Sequence, residues 1–217
     1  MVAHLLALLL LVADVSCDPA ALIDRNRSAL VVIDVQQPFL TKLPLDARSA
    51  LIDRISNIMW WAIYFDMPLI VTAEDIKHTG PIEPKLQKIL DDKLPGHTVF
   101  SKMVWNLYGQ ADIRAAVDAT GRDSFILVGL ETDVCVAQSA LGLQEAGYKV
   151  AVIEDATMTP PPHHEAGLRR LRDARVTVTT TKSLYYELVR DIPTAHRVDV
   201  ALNGTYPTLG CASDYTV

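Results

Sequence analysis

The sequence predicts an α/β protein in which helices cover both faces of a parallel sheet. Three observations carry this. Short unbroken apolar runs, such as ALVVID at residues 29–34 and SFILVG at 124–129, read as strands buried on both faces rather than on one. Stretches with apolar residues every three or four positions lie between them. The two kinds of segment alternate from residue 29 onward with no internal repeat, low-complexity stretch or charged linker, so a single domain uses the chain.

Each element follows from its own pattern. Residues 29–34 form the first strand. Residues 46–66 form a helix, because Leu51, Ile55, Ile58, Ala62 and Phe65 share one face. PLIVTA at 68–73 is the second strand, and the prolines at 81–84 lead into a short helix over 85–90. TVFSK at 98–102 is a short strand. The helix over 111–120 is closed by Gly121, and the helix over 134–146 by Gly147. Between them stands the strand at 124–129. YKVAVIE at 148–154 is a strand, 163–174 a helix, 176–179 a strand, and 184–190 opens the last helix.

Composition excludes several functions. The 217 residues carry 20 Lys+Arg against 26 Asp+Glu, a net charge of −6, which disfavours a nucleic-acid partner. Half of the residues are hydrophobic and 21% are charged, the balance of a globular chain. Three cysteines, Cys17, Cys135 and Cys211, with no C-x-x-C pair, exclude a disulfide scaffold and a zinc ribbon. There is no G-x-G-x-x-G after a strand, no P-loop and no G-x-S-x-G elbow. Dinucleotide binding, P-loop chemistry and a serine-hydrolase elbow therefore lack support.

The N-terminus stands apart. The run from Leu5 to Ala13 is apolar for 9 residues, too short to span a bilayer, which needs about 20. It suits the apolar region of a signal peptide, with Val15-Ser16-Cys17 as a small-residue cleavage site. Residues 1–17 are expected to be a leader and 18–217 the folded domain. Sequons at Asn26 and Asn203 agree with a secreted protein. A cytoplasmic protein with an apolar extension is the alternative, since the leader has no Lys or Arg.

Ligands in open α/β sheets bind at the carboxyl ends of the strands. The polar residues placed there are Asp34, Glu74, Asp75, Lys102, Glu131, Thr132, Asp133, Cys135, Glu154 and Asp155. Cys135 sits where a helix begins, and a helix N-terminus and an ammonium such as Lys102 both favour a thiolate. A carboxylate such as Asp34 can take the thiol proton and return it to a leaving group. Each residue alone has an ordinary role: a small core thiol, a turn carboxylate, a solvated lysine.

Three blocks together resemble the isochorismatase-like cysteine hydrolase superfamily, which includes nicotinamidases, carbamoyl-amide hydrolases and isochorismatases. They are ALVVIDVQQPF (29–39), TVFSKMVWNLYG (98–109) and ILVGLETDVCVAQSALGLQEAGYKVAVIEDAT (126–157), and the likeness extends to VTVTTTKSLYYELVRD (176–191). The resemblance implies a three-layer α/β/α fold with a six-stranded parallel sheet in the order 3-2-1-4-5-6. It implies a catalytic Asp34, Lys102 and Cys135, a cis peptide between Leu130 and Glu131, and an oxyanion hole from the backbone N–H groups of Glu131 and Cys135. It also implies a homo-oligomer, with a small molecule as the substrate.

Departures from the family's pattern narrow the expectation. TAEDIKHTGP after the second strand holds only His78 and no Asp-x-His, so no metal and no cofactor are expected. The adjacent His163 and His164 point in different directions on a helix and make poor joint ligands. The presence of Cys135 favours an amide-like substrate cleaved through a thioester. An isochorismatase-type hydrolase of a small carboxylated metabolite, and a non-catalytic binding protein of the same fold, are the alternatives. Phe39, Trp105 and Tyr108 flank the blocks as candidate pocket-lining residues, with core packing as their ordinary role. The adjacent Trp60 and Trp61 fit either an oligomer contact or one ring inward and one at the rim.

Overall fold

The computed structural model describes residues 22–202. The expected leader at 1–17, which includes Cys17, and Asn203 and Cys211 lie outside the described residues. Six parallel strands form one sheet in the order β3-β2-β1-β4-β5-β6. They are β1 (Ser28–Ile33), β2 (Leu69–Glu74), β3 (Val99–Lys102), β4 (Ser124–Leu130), β5 (Lys149–Met158) and β6 (Thr177–Thr179). The helices are α1 (Gln37–Leu40), α2 (Leu45–Tyr64), α3 (Ile76–Thr79), α4 (Pro84–Lys93), α5 (Ala111–Ala119), α6 (Ala137–Glu145), α7 (His163–Asp173), α8 (Thr181–Val189) and α9 (Ile192–Ala201).

The unbroken apolar runs have a simple cause. Along β1, Leu30 and Val32 pack into one core, while Ala29, Val31 and Ile33 pack into the other. The first core is closed by Leu51, Ile55 and Met59 of α2, Leu86 of α4 and Leu184 and Leu188 of α8. The second is closed by Ile113 and Val117 of α5, Ala140 and Leu143 of α6 and Leu168 and Leu171 of α7. Each such buried Val, Leu, Ile or Met side chain contributes about 1.5–3 kcal/mol of transfer free energy. Trp61 is buried with its ring 5.0 Å from that of Tyr185, and Trp60 lies half-buried under the Lys93 ammonium. One ring therefore packs inward and the other sits at the rim.

Four details differ from the sequence pattern. The helix expected at 134–146 opens as a wide π turn over Thr132–Val136 and becomes α-helical only from Ala137. The strand expected to stop at Glu154 runs to Met158, with its register against β4 shifting between Leu127 and Gly129. That shift draws Glu154 and Asp155 into structural duties. Glu154 pairs with Arg172 of α7, and Asp155 accepts from the Thr181 N–H and hydroxyl at 2.7 and 2.8 Å, opening α8. The helix expected from 184 thus begins at Thr181. A further helix, α9, follows where Asp191 caps the Thr194 N–H at 2.7 Å.

Gly129 decides how the sheet meets the site. Its φ is +119°, and a Cβ there would lie 2.0 Å from the Ile33 carbonyl oxygen. Only glycine lets β4 come this close to the end of β1. Gly167 of α7 plays a similar part on the other side, since a Cβ there would meet the Asp133 backbone at 2.8 Å.

Candidate active site

β1 and β4 are neighbours whose following connections run to opposite sides of the sheet, which makes their carboxyl ends the switch point. Asp34 follows β1 there with φ +49°, a conformation that non-glycine residues rarely adopt. Its N–H donates to the Thr72 carbonyl at 3.1 Å, and the Thr72 hydroxyl donates to Asp34 Oδ1 at 2.8 Å. Lys102 ends β3 and reaches across β2. Its Nζ stands 2.8 Å from Asp34 Oδ2, 2.8 Å from the Val104 carbonyl and 3.5 Å from Cys135 Sγ. Those three acceptors match the three donors of an ammonium.

The side chains of Asp34 and Lys102 are both wholly buried. Taking such a pair out of water is costly, so nothing in stability alone explains it. Buried charges of this kind cluster at functional sites. Burial works against the Lys102 charge, but Asp34 and the thiol more than offset it and raise its pKa.

Cys135 is a free, buried thiol on the π turn. The turn is tied down by Val134 and Val136 N–H groups on the Glu131 carbonyl, by the Thr132 N–H on Thr159 Oγ1 at 2.7 Å, and by Thr132 Oγ1 with His164 Nδ1 at 2.9 Å. The peptide between Leu130 and Glu131 is cis. The Glu131 carboxylate leaves the centre to pair with Lys42 at 2.8 Å.

The thiol does not have the depressed pKa that Lys102 and a helix start suggested. Burial raises it first, the Asp34 carboxylate raises it again, and Lys102 only partly opposes them. Glu74 adds to the effect, since Cys135 Sγ donates to its Oε2 at 3.6 Å. Two carboxylates against one ammonium keep the proton on sulfur in the resting site.

Glu74 was visible in the sequence as a strand-end carboxylate without a role. The structure gives it one by placing it against the thiol. Gln36 stood in the 29–39 block without a role of its own, yet it is wholly buried beside the site and fixes the Glu74 backbone. Ligand atoms of Asp34, Glu74 and Cys135 all lie within 4.8 Å of one another, a grouping that could hold a metal ion. Lys102, however, already supplies a fixed cation to two of the three.

The aromatic candidates separate. Phe39 is half-buried against the α2 core, with Lys42 Nζ 4.9 Å from its ring centre. Trp105 is 59% exposed on the loop after Lys102. Tyr108 donates its hydroxyl to Asp118 at 3.0 Å and sets its ring edge-on to Tyr148, which precedes β5 at the opposite end of the strands. The hydroxyl and ring of Tyr108 are thus both held on the α5 side. His78 lies on the surface, paired with Asp75. Among the described residues no helix is long and apolar enough to cross a membrane.

The chain is thus an α/β/α protein whose parallel sheet carries a buried Asp-Lys-Cys cluster at its switch point. The Isochorismatase domain family matches residues 28–183, and the chain belongs to that family. It is 30% identical over 171 residues to the secreted isochorismatase effector Isc1 of Phytophthora sojae, covering 76% of this chain and 79% of that one. Two solved structures share the fold. YcaC from Pseudomonas aeruginosa, with hexane-2,5-diol and covalent acrylamide, has a TM-score of 0.73 at 26% identity and covers 85% of this chain and 91% of its own. The YcaC product of Escherichia coli, an octameric hydrolase of unknown specificity, has a TM-score of 0.74 at 26% identity, covering 88% and 98%.

Proposed function

We propose that this isochorismatase-family hydrolase cleaves a C–N bond in a small amide-like substrate, with Cys135 as nucleophile and no metal. The observation that carries the reading is the buried thiol within reach of a carboxylate and an ammonium that have no structural reason to be buried together. As Sγ attacks the carbonyl carbon, the thiol proton passes to Asp34. The Glu131 and Cys135 N–H groups stabilise the resulting oxyanion. Asp34 returns the proton to the departing nitrogen as the C–N bond breaks, leaving a thioester. Asp34 then takes a proton from water, whose oxygen attacks the thioester carbon, and gives that proton to sulfur as the C–S bond breaks. Lys102 stays beside Asp34 as the counter-ion to which its carboxylate returns after each proton transfer.

The covalent acrylamide in the Pseudomonas relative supports this reading, because acrylamide is both an amide and a thiol-alkylating agent. The relative named as a secreted effector supports reading residues 1–17 as a signal peptide. The octameric relative supports a homo-oligomer here too. The test is a panel of small primary amides and carbamoyl compounds, with isochorismate included. The wild type should hydrolyse an amide, and added hydroxylamine should intercept the thioester as a hydroxamate. Cys135→Ala should be inactive; a substantial rate in that variant would end the thioester mechanism.

A further inference from the structure

We infer that Glu74 is the specificity-determining residue of this site: its carboxylate receives the N–H groups of a neutral primary amide or urea-type substrate and turns away substrates that carry a carboxylate beside the reacting carbonyl. The inference rests on the hydrolase reading above and narrows its substrate class.

Glu74 ends β2 between the strands of Asp34 and Lys102, in register with Lys102. Gln36 clamps its backbone from both sides. Gln36 Oε1 accepts from the Glu74 N–H at 2.8 Å, and Gln36 Nε2 donates to the Glu74 carbonyl at 2.9 Å and to that of Gly80 at 2.7 Å. The backbone at this position is thereby pinned, and the half-buried carboxylate is held over the sulfur.

Its neighbours are paired. Asp34 has Lys102 and Thr72, Glu131 has Lys42, and Asp75 has His78. Among the described residues Glu74 has no lysine or arginine, and its carboxylate takes its hydrogen bond from the thiol. A partly desolvated carboxylate in that position needs donors. When Sγ attacks, its proton leaves for Asp34 and the S–H donor is lost while the substrate nitrogen is still on the attacked carbon. A nitrogen carried by the carbon that Sγ attacks falls within reach of an oxygen 3.6 Å from that sulfur. An amide or urea NH2 supplies the missing donor there. A substrate carboxylate would instead meet a site in which Asp34 and Lys102 cancel and Glu74 leaves one negative charge.

Two alkylating agents of the same size and leaving group test this without turnover. The rates at which neutral iodoacetamide and anionic iodoacetate modify Cys135 are measured at pH 8 by intact mass, against free cysteine in the same buffer. The wild type should favour iodoacetamide about tenfold or more beyond the preference of free cysteine. The near-isosteric Glu74→Gln should lose that excess, and Glu74→Asp should keep it. An unchanged ratio in Glu74→Gln, or a wild-type ratio equal to that of free cysteine, overturns the inference, the second even if the variant does not fold. Because no hydrolysis is read, failure here is distinct from failure of the thioester mechanism, which Cys135→Ala reports.

Discussion

Lys102→Met keeps an unbranched stem in the core and removes the ammonium. At 2.8 Å from Asp34 Oδ2, the lost attraction is about 6 kcal/mol at an effective dielectric of about 20. Part of it was offset by the desolvation of the lysine, so the net loss expected is about 3–5 kcal/mol, the cost of leaving one buried partner behind. After the substitution Asp34 keeps the Thr72 hydroxyl and the nearby thiol but no cation. Urea unfolding at pH 7 measures the loss. Adding Asp34→Asn to Lys102→Met leaves no buried charge, so the double variant should recover at least about 2 kcal/mol of it, and a double-mutant cycle should show that coupling. The pH dependence has a definite sign. The Lys102 pKa is raised above its ordinary 10.5, so its contribution holds through the neutral range and fades as the pH climbs past that value. A loss below about 1 kcal/mol, the worth of a surface pair, would refute the argument that this charge is buried and structurally coupled to Asp34.

Two further predictions concern the turn and the thiol. Alkylation of Cys135 by iodoacetamide should rise about tenfold per pH unit between pH 7 and 9, because burial and the flanking carboxylates keep the thiol protonated there; a rate already level by pH 8 would contradict that. In the same direction, ionisation of Cys135 in the unfolded chain but not in the folded one should cost stability above its ordinary 9.0, and Cys135→Ala should flatten this decline. Gly129→Ala should destabilise the fold by more than about 3 kcal/mol, the upper end of ordinary substitutions, since its Cβ would overlap the Ile33 carbonyl. Wild-type-like thermal unfolding of that variant would show that β4 can move away from β1.

The strands were legible because each is buried on both faces. ALVVID and SFILVG have to be apolar at every position when two cores need alternate residues. The π turn was not legible. Its residues, TDVCV, read as the first turn of a helix, and only the tether from Thr159 and His164 shows how the chain widens there. The length of β5 was hidden for a related reason. Glu154 and Asp155 look like residues leaving a strand, but a register shift carries the strand past them and binds them to Arg172 and Thr181.

Asp34, Lys102 and Cys135 stand on separate blocks of the sequence, and the resemblance of those blocks to the isochorismatase-like superfamily is what singled them out among the polar residues at strand ends. The chain itself thus determined the fold class and the chemical groups available at the site, because strand-end position and residue type are local properties. The charge state of the thiol and the part played by Glu74 were decided only by the tertiary structure. Both depend on distances of a few ångströms between strands that are tens of residues apart, and at 3.5 and 3.6 Å from the sulfur an ammonium and a second carboxylate pull its proton in opposite directions.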